Sequence, residues 1–487
     1  MPTRRPAGRP RYVLCWLQQA IRATDNPIID AAVRRGNETG LPVVVYHGLD
    51  NRYPDASHRL HRFILQASRS LESGLRKRRL RFGRYVRRPD HRLPNLVYRL
   101  VEDASEVFTD DLATFVARRQ ADSVSAKIDK PLHRINAACL VPPDRFSSPL
   151  ATTREFRAAH KALRDEYDTA VDVDVEPTVR KFTGKLPFEH DVLPHDDAGL
   201  DDLIGRCGVD MTLPPAEPLF PHPGFDNEPG FDGDRTVGLR QLAFAIEHVI
   251  PRYKWTRNNA SLVDSASRLS PWIHFGVLGV REIVRAIDAA DLHAAARWKF
   301  FDELLTWREY YHHRAFHRVG GLGAASYDHL PAWSRRTMDD HRDDPREVIY
   351  SLDDLIHART DDPTWNAAQM QFLVDGWMHN NLRMYWVKQF LRWRPSPEDA
   401  YATACYFNDR LSLDGRDAST YGGIQWGFGD AKRGYRELPI YGSVPPKSDT
   451  AIRKRKGMSE WIDRMNHRER PTLEVPEVPP MRRYVPR

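Results

Sequence analysis

The pattern of apolar residues changes once along this chain, and that change limits the folds the chain can adopt. Near the start, short apolar runs at 11–17 (RYVLCWL) and 41–46 (LPVVVY) alternate with amphipathic stretches such as 58–74. Further strand candidates lie at 95–100, 106–108 and 123–128. Such alternation predicts an open parallel sheet with helices on both faces. From residue 235 onward the pattern is almost wholly helical, which predicts a separate all-α domain.

The chain's 487 residues are more than one hydrophobic core usually holds, so we expect two domains and a connector. Pro, Asp and Gly are dense at 213–234, where periodicity is lost, as is typical of a surface connector. The predicted boundaries are 10–175 for a Rossmann-like α/β domain, 176–234 for the connector, 235–466 for the helical domain and 467–487 for a tail. The predicted helices of the second domain are 235–251, 278–290, 293–318, 345–358, 365–393 and 396–407.

Composition and short motifs narrow the class of protein. No apolar run approaches the roughly 20 residues that span a bilayer, and we expect a cytoplasmic protein without a secretory signal. The four widely spaced cysteines lack CxxC spacing and are expected to be reduced thiols. His313 and His317 are four apart but belong to no HExxH motif, so no metal site is predicted. A net charge of +7 suits a polyanionic partner but is weak evidence alone.

Four tryptophans occur in the helical pattern of 365–393. Trp386 and Trp393 are seven residues apart, which places them on one helix face about 10.5 Å apart along the axis. Indoles at such spacing can pass an electron toward a buried redox cofactor, although aromatic stripes are more often core packing. The segments downstream, FNDRLSLDGRD at 407–417 and GGIQW at 422–426, favour the redox interpretation.

Three further motifs in the helical domain are candidate sites. Ser267, Arg268 and Ser270 precede a helix start, and their hydroxyls, guanidinium and nearby N–H groups suit a diphosphate, although an ordinary helix cap is an alternative. Glu303 and Trp307 lie four apart on one helix face, as a pocket wall or as a solvated surface. The third motif is 408–417, where a carboxylate could pair with an arginine of the tryptophan segment across a buried cofactor.

Taken in order, these motifs resemble the photolyase/cryptochrome family over nearly the whole chain, and within it the class II cyclobutane pyrimidine dimer photolyases. The similar segments are 11–27, YKWTRNNAS (253–261), SRLSPWIHFG (267–276), DELLTWRE (302–309), DDPTWNAAQMQ (361–371), LRMYW (382–386) and NDRLSLDGRD (408–417). The resemblance implies an N-terminal antenna domain, which in the family can hold a deazaflavin or a folate. It also implies an FAD bound in the helical domain.

The resemblance assigns roles to individual residues. The implied FAD-binding residues are Tyr253, Ser267, Arg268, Leu269, Ser270, Arg308, Arg383, Asn408, Asp414 and Asp417. The implied substrate-binding residues are Glu303, Trp307, Met384 and Trp426. Trp386, Trp365 and Trp393 match the electron-transfer tryptophans, with Trp393 expected at the surface, whereas Trp377 is assigned to packing. Arg383 with Asp414 would form an ion pair beside the flavin ring, and Asn408 would face flavin N5.

The implied activity is that of a carbon–carbon lyase acting on UV-damaged DNA. Light-driven electron donation from FADH− to a flipped-out dimer would split the cyclobutane ring, and the electron would then return. A damaged, poorly stacked pair is cheaper to flip than a normal base. Glu303, if buried and protonated, could donate a hydrogen bond to the dimer. The resemblance further implies a monomer that is located with the DNA, at the nucleoid in a bacterium.

Two alternatives stay open. A cryptochrome-like blue-light photoreceptor without repair activity would use the same flavin and tryptophans. Repair of the 6-4 photoproduct typically needs histidines at the lesion, and His379 is the candidate here. The sequence also departs from class II members at Asn380 and Asn381, where they usually carry a glycine and an aromatic residue, and in the segments 417–423 and 426–430. These departures leave the flavin contacts intact but make altered lesion contacts an expectation.

Overall fold

The computed structural model describes residues 10–168, 173–216, 231–318, 325–430, 434–477 and 480–485. It confirms the predicted combination of an N-terminal parallel sheet and a helical C-terminal region. The Pro-rich stretch at 217–230, which belongs to the predicted connector, lies outside the described residues. No helix in the described ranges is long and apolar enough to cross a membrane.

The sheet has five parallel strands in the order β3-β2-β1-β4-β5. Its strands are β1 (Tyr12–Leu17), β2 (Val43–Leu49), β3 (Arg81–Val86), β4 (Ala104–Asp110) and β5 (Leu132–Ile135). Every residue of β1 is buried, because a parallel sheet is covered on both faces, and this explains its continuous apolar run. The strands predicted at 11–17, 41–46 and 106–108 are confirmed as β1, β2 and β4.

Two strand predictions are wrong. Residues 95–100 fall in helix α3 (Leu96–Glu102), where Leu96 and Leu100 are buried four residues apart, as on a helix face. Most of 123–128 continues from helix α4 (Phe115–Ser125) into a turn. Conversely, β3 and β5 were not predicted, because charged residues interrupt their apolar runs. The other helices of this domain are α1 (Pro27–Thr39), α2 (His58–Lys77), α5 (Thr153–Asp168) and a 3-10 turn at Pro143–Arg145.

In its described residues, 176–216 and 231–234, the predicted connector contains one helix, α6 (Asp197–Gly205), which packs against α2. The helices of the second region are α7 (Arg235–Phe244), α8 (Tyr253–Thr256), α9 (Ser270–His274), α10 (Val280–Asp288), α11 (Ala294–Phe301), α12 (Arg308–His317), α13 (Ala332–Asp340), α14 (Leu352–Ile356), α15 (Pro363–Met370), α16 (Asn380–Trp393), α17 (Pro397–Leu411), α18 (Ala418–Gly427), α19 (Thr450–Arg453), α20 (Met458–Asn466) and α21 (Met481–Tyr484). Some of these helices are joined by π-helical segments, at Ala245–Val249, Asp302–Trp307 and Gln371–Asp375. Others are joined by 3-10 turns, at Ile250–Arg252 and Tyr327–His329.

The tryptophan segment is not one continuous helix, so that prediction is wrong. Helix α15 passes into the π-helical segment and ends at Gly376, whose φ of +66° lies in the left-handed region. Helix α16 then starts anew, with the His379 side chain accepting the backbone N–H of Asn381. The predicted helix 345–358 is also reduced to the short α14. The helices predicted at 278–290, 293–318 and 396–407 are confirmed.

Arg59 of α2 connects the sheet domain to the helical region through hydrogen bonds. Its buried guanidinium donates hydrogen bonds to the backbone carbonyls of Phe372 (3.1 Å), Leu373 (2.8 Å) and Leu411 (2.8 Å) in the helical region. Two of these carbonyls belong to the π-helical segment, where the regular i to i+4 bonding is disturbed. The arginine therefore satisfies backbone acceptors at the interface between the regions.

Replacing Arg59 with methionine is expected to lower the free energy of unfolding by about 3 kcal/mol, because buried carbonyls lose a charged donor. Arg76→Met on the same helix is the matched control. Its side chain is 77% exposed and pairs only with Glu72 across one helical turn, so the expected loss is about 0.5 kcal/mol or less. Urea unfolding of both variants measures the difference. Equal losses would contradict the role given to Arg59.

Candidate functional site

The helical region encloses a cavity of about 560 Å³, within the range of roughly 300–1,000 Å³ that is usual for ligand pockets. A smaller cavity of about 190 Å³ shares part of its wall. Of the predicted cofactor residues, those that line one or both cavities are Tyr253, Ser267, Arg268, Leu269, Ser270, Arg308, Arg383, Asp414 and Asp417. The predicted substrate residues Glu303, Trp307, Met384 and Trp426 all line the larger cavity. The residues predicted from separate sequence motifs therefore lie together around these two cavities.

One wall of the larger cavity is the turn before α9. Arg268 has a φ of +52°, a strained conformation for a residue with a side chain, and such strain is typical of functional sites. Its guanidinium carbon lies 5.5 Å from the centre of the Trp377 ring, and burial lowers the pKa of Arg268. Trp377 in turn donates from Nε1 to Ser270 Oγ at 3.1 Å. Trp377 itself lines the larger cavity, so it forms part of this wall.

The ion pair between Arg383 and Asp414 crosses the cavity wall. Their closest atoms are 3.1 Å apart, and both side chains are 7% exposed. Burial alone would raise the pKa of the Asp414 carboxyl, but the Arg383 charge and the hydroxyl donors of Ser270 and Ser412 hold it below its ordinary value. The guanidinium also lies 4.9 Å from the Phe372 ring centre. A fixed positive charge at this position is barely screened by solvent.

Asp417 lines only the smaller cavity. It caps helix α18 by accepting the backbone N–H of Ser419 at 2.9 Å, and it also contacts His312 Nε2 at 3.1 Å and His274 Nδ1 at 3.3 Å. Burial opposes ionisation, yet the two histidines and the nearby Arg308 charge hold the pKa of Asp417 well below its usual range. Asp417 is therefore an anion that fixes the floor of this cavity.

Asn408 is the one predicted cofactor residue that lines neither cavity. Its side chain is 1% exposed and lies behind Thr420, which does line the larger cavity and accepts from Asn408 Nδ2 at 3.3 Å. The Asn408 Oδ1 atom is buried and finds no hydrogen-bond partner among the described residues. Such an orphan acceptor beside a cavity fits a group that is supplied by a ligand.

The environment of Glu303 differs from the expected one. Its carboxylate is 25% exposed and lies between Lys299 Nζ at 2.7 Å and Arg257 Nη1 at 2.9 Å. The Glu303 carboxyl is therefore neither fully buried nor isolated, contrary to the expectation. Sequence reasoning missed both cations, and Arg257 lies 46 residues from Glu303 along the chain. The pattern i, i+4 from Lys299 to Glu303 was the one available signal.

The two aromatic residues of the predicted substrate set line the larger cavity. Trp307 and Trp426 are both partly exposed, as a stacking platform requires. Trp307 ends the π-helical segment Asp302–Trp307, which also carries Glu303, and π-helical turns are frequent at functional sites. The Trp307 ring lies 6.4 Å from that of Tyr311, a cavity residue that sequence reasoning also missed.

The three predicted electron-transfer tryptophans form one buried line. Trp386 contacts Phe390 with ring centres 4.7 Å apart, Phe390 contacts Trp365 at 5.7 Å, and Trp365 contacts Trp393 at 5.1 Å. At the cavity end, the Phe372 ring lies 5.2 Å from Trp386. Trp365 also donates from Nε1 to the Trp386 carbonyl at 3.0 Å. The ring contacts therefore run without a break from the neighbourhood of Arg383 to Trp393.

Trp393 is 4% exposed, so the expectation of a surface position is wrong. The half-buried Tyr350 covers it, with ring centres 5.4 Å apart. The charged neighbours Arg392 and Arg394 in the sequence suggested exposure. Arg394 instead turns inward to Asp399, because the chain leaves the helix at this residue.

His379 is used as a helix cap. Its Nδ1 accepts the backbone N–H of Asn381 at 3.2 Å, which leaves the proton on Nε2, 3.3 Å from Ser265 Oγ. Burial and the surrounding cations, Arg268 first among them, lower the pKa of His379 to about 3. A neutral, capped imidazole is a poor acid, which weighs against 6-4 photoproduct chemistry. Asn381 also binds Lys447 Nζ through Oδ1 at 2.7 Å.

Two further cavities border the sheet domain. One of about 730 Å³ is lined by Trp16, Tyr46, Tyr85 and Arg52 at the carboxyl ends of the strands. Another of about 380 Å³ lies between the two regions and is lined by residues of both, among them His274. Ligands of open parallel sheets bind at this edge.

Comparison with known proteins agrees with these features. Residues 13–178 match the DNA photolyase family model. The chain is 28% identical over 468 residues to the deoxyribodipyrimidine photo-lyase of Methanothermobacter thermautotrophicus, covering 94% of this chain and 96% of that relative. The chain is therefore similar to DNA photolyases along nearly its whole length.

Solved structures of the family share the fold. A cryptochrome from Synechocystis superposes with a TM-score of 0.65 at 15% identity, covering 93% of this chain and 89% of that one. An archaeal photolyase from Sulfolobus tokodaii, solved with two FAD molecules, gives a TM-score of 0.60 at 15% identity and covers 96% of both chains. Photolyases and cryptochromes thus both occur among the structural neighbours.

Proposed function

We propose that this protein repairs cyclobutane pyrimidine dimers in UV-damaged DNA in a light-dependent reaction. The observation that carries the proposal is the larger cavity, where the proposed cofactor-binding wall, two partly exposed indoles and the start of a tryptophan line meet. Bound FAD would supply the chemistry, which is light-driven electron donation to the dimer. The photo-lyase name of the full-length relative supports the same reaction.

The residues of the site fit an FAD. The walls offer a buried guanidinium beside two hydroxyl residues at Arg268, Ser267 and Ser270, which suits a diphosphate. The ion pair of Arg383 with Asp414 would place a positive charge next to a ring that becomes anionic on reduction. The orphan acceptor on Asn408 would meet a ring N–H. The two cavities, of about 560 and 190 Å³, share lining residues and would hold the ligand together.

The lesion would bind at the outer part of the same cavity. Trp307 and Trp426 provide stacking faces, and Met384 adds an adaptable apolar contact. Glu303 remains a proposed contact to the dimer, but its carboxylate is engaged by Arg257 and Lys299. Hydrogen-bond donation from Glu303 would therefore require the carboxylate to take up a proton and both cations to pair with other anions, for which the DNA phosphates are suitable.

A second chromophore is proposed for the sheet domain. The Sulfolobus tokodaii photolyase contains two FAD molecules, and the cavity of about 730 Å³ here is large enough for a flavin-like or folate-like antenna. The proposed partner is UV-damaged DNA, bound by a monomer with a net charge of +7, so binding should weaken as salt is raised. A location with the DNA in the cytoplasm follows from that partner.

Replacing Trp307 or Trp426 with alanine is expected to weaken binding to an oligonucleotide with one thymine dimer by about 5- to 100-fold, because stacking contributes about 1–3 kcal/mol per base. Trp298→Ala is the matched control, since this indole is 57% exposed and does not line the cavity. Fluorescence anisotropy in the dark measures the affinities. Equal binding of damaged and undamaged DNA by the wild-type chain would contradict the lesion site.

The repair activity itself is tested by illumination. Reduced, FAD-loaded protein mixed with dimer-containing DNA should remove the dimer in blue light and not in darkness. A cryptochrome-like sensor would photoreduce its FAD normally and leave the dimer intact.

A further inference from the structure

The Asn408 amide is held in one orientation by neighbours that leave only its carbonyl oxygen available. Thr420 Oγ1 donates its hydrogen to the Asp417 carbonyl at 3.0 Å, so it can only accept from Asn408 Nδ2, 3.3 Å away. Asp409 Oδ1 also accepts from this Nδ2, at 3.1 Å, and accepts the backbone N–H of Arg416 at 3.1 Å. Both neighbours therefore require the amide NH₂ group, and Oδ1 is left facing away from them.

Asp409 is itself fixed on its other side. Its side chain is fully buried, and Oδ2 accepts hydroxyl hydrogen bonds from Tyr421 and Tyr484, each at 2.7 Å. Since Oδ1 receives two N–H donors, it stays an acceptor in either protonation state of the carboxyl. The orientation of the Asn408 amide therefore depends on where the two tyrosines hold the Asp409 carboxyl group, and not on the charge of that group.

Tyr484 comes from α21, far along the chain from the site. It is fully buried, and its hydroxyl also accepts from Arg483 Nη1 at 3.2 Å. The same Arg483 atom binds Asp55 Oδ2 at 2.6 Å, in the loop after β2. A connected series of polar contacts thus runs from the sheet domain through α21 and Asp409 to Asn408.

We propose that Asp409 and Tyr484 are positioning residues that present the Asn408 carbonyl oxygen as an acceptor to the ligand of the adjacent cavity. This inference rests on the proposed function, in which the ligand is FAD and its partner atom is a ring N–H. Reduced flavin carries a hydrogen on N5 and oxidised flavin does not, so a fixed acceptor favours the reduced form. If the amide were free to turn, its NH₂ group would instead favour the oxidised ring nitrogen.

The test compares the reduction potential of bound FAD in the full chain and in two variants, Tyr484→Phe and Asp409→Leu, the second of which removes the acceptor oxygen altogether. Loss of one oriented hydrogen bond should weaken the preference for the reduced form about three- to tenfold, which is a potential more negative by roughly 15–30 mV for a two-electron couple. Asn408→Leu should shift the potential the same way, and adding Tyr484→Phe to it should cause no further shift. A purely structural role for Tyr484 would not produce this non-additivity.

Tyr310→Phe is the matched control, because it removes an equally buried hydroxyl that donates to the Ala151 carbonyl at 2.7 Å. It should leave the potential unchanged. Should Asp409→Leu fail to fold, Tyr484→Phe decides alone, since it retains the ring. Variants that bind FAD fully with the wild-type potential overturn this inference and leave the repair proposal standing. A wild-type chain that binds no FAD overturns both, whereas shifted potentials without repair overturn only the repair proposal.

Discussion

Replacing Arg383 with leucine is expected to lower the free energy of unfolding by about 3–5 kcal/mol, because the buried Asp414 carboxylate loses its counter-charge. The two side chains are each 7% exposed, so water cannot replace the missing partner. FAD binding should weaken in parallel, since the same pair forms part of the cavity wall. Urea unfolding of the protein and fluorescence titration with FAD measure the two effects.

Arg392→Leu on the same helix is the matched control for this result. Arg392 is 42% exposed and pairs with Glu347, which is 89% exposed, at 3.4 Å, so the expected loss is below about 1 kcal/mol. The double variant Arg383→Leu, Asp414→Leu should recover much of the stability, because no uncompensated charge remains. A single Arg383→Leu variant as stable as the control would show that the pair is not buried in solution.

Replacing Trp386 with phenylalanine is expected to abolish the photoreduction of oxidised FAD by an external reductant. Trp386 is fully buried and is the member of the tryptophan line nearest the cavity, because its ring lies 5.2 Å from Phe372, which packs against the cavity residue Arg383. Among the ring contacts of the described residues, the path from Phe372 to Trp393 passes through Trp386. Phenylalanine keeps most of the volume but is far harder to oxidise than an indole. Absorbance changes under steady blue light measure the rate.

Trp461→Phe is the matched control, because Trp461 in α20 is equally buried and takes no part in the line. Its rate should equal that of the wild type. Trp393→Phe should slow photoreduction while leaving FAD binding intact, since Trp393 is the far member. Normal photoreduction in Trp386→Phe would show that the tryptophan line does not carry the electron to FAD.

The fold was predictable where the apolar pattern was strong. The runs of β1 and β2 stood out because both faces of a parallel sheet are buried, whereas β3 carries Arg81 and Arg84 and was missed. Arg84 is buried, and it donates hydrogen bonds to Ser68 and Glu72 of helix α2. No local sequence pattern reveals such contacts between a strand and a helix. The break at Gly376 was likewise hidden, since glycine is tolerated within helical patterns and its left-handed φ is set by tertiary structure.

The site was predictable through motifs rather than through physics alone. The family resemblance supplied the residues that line the cavity, because its motifs preserve order and spacing. It could not supply Arg257 and Lys299 as partners of Glu303, nor the cover of Tyr350 over Trp393. The roles of Asp409 and Tyr484 were also out of reach, since 75 residues separate the two. Each of these depends on contacts between distant segments.

Light-dependent repair tests the central claim most directly. Reduced, FAD-loaded protein is mixed with an oligonucleotide that carries one defined thymine dimer, and the dimer is quantified after equal times in blue light and in darkness. We predict loss of the dimer only in the light, and no loss with the Glu303→Ala, Trp426→Ala double variant. An intact dimer after illumination of wild-type protein that photoreduces its FAD normally would contradict the account and point to a light sensor or a different lesion.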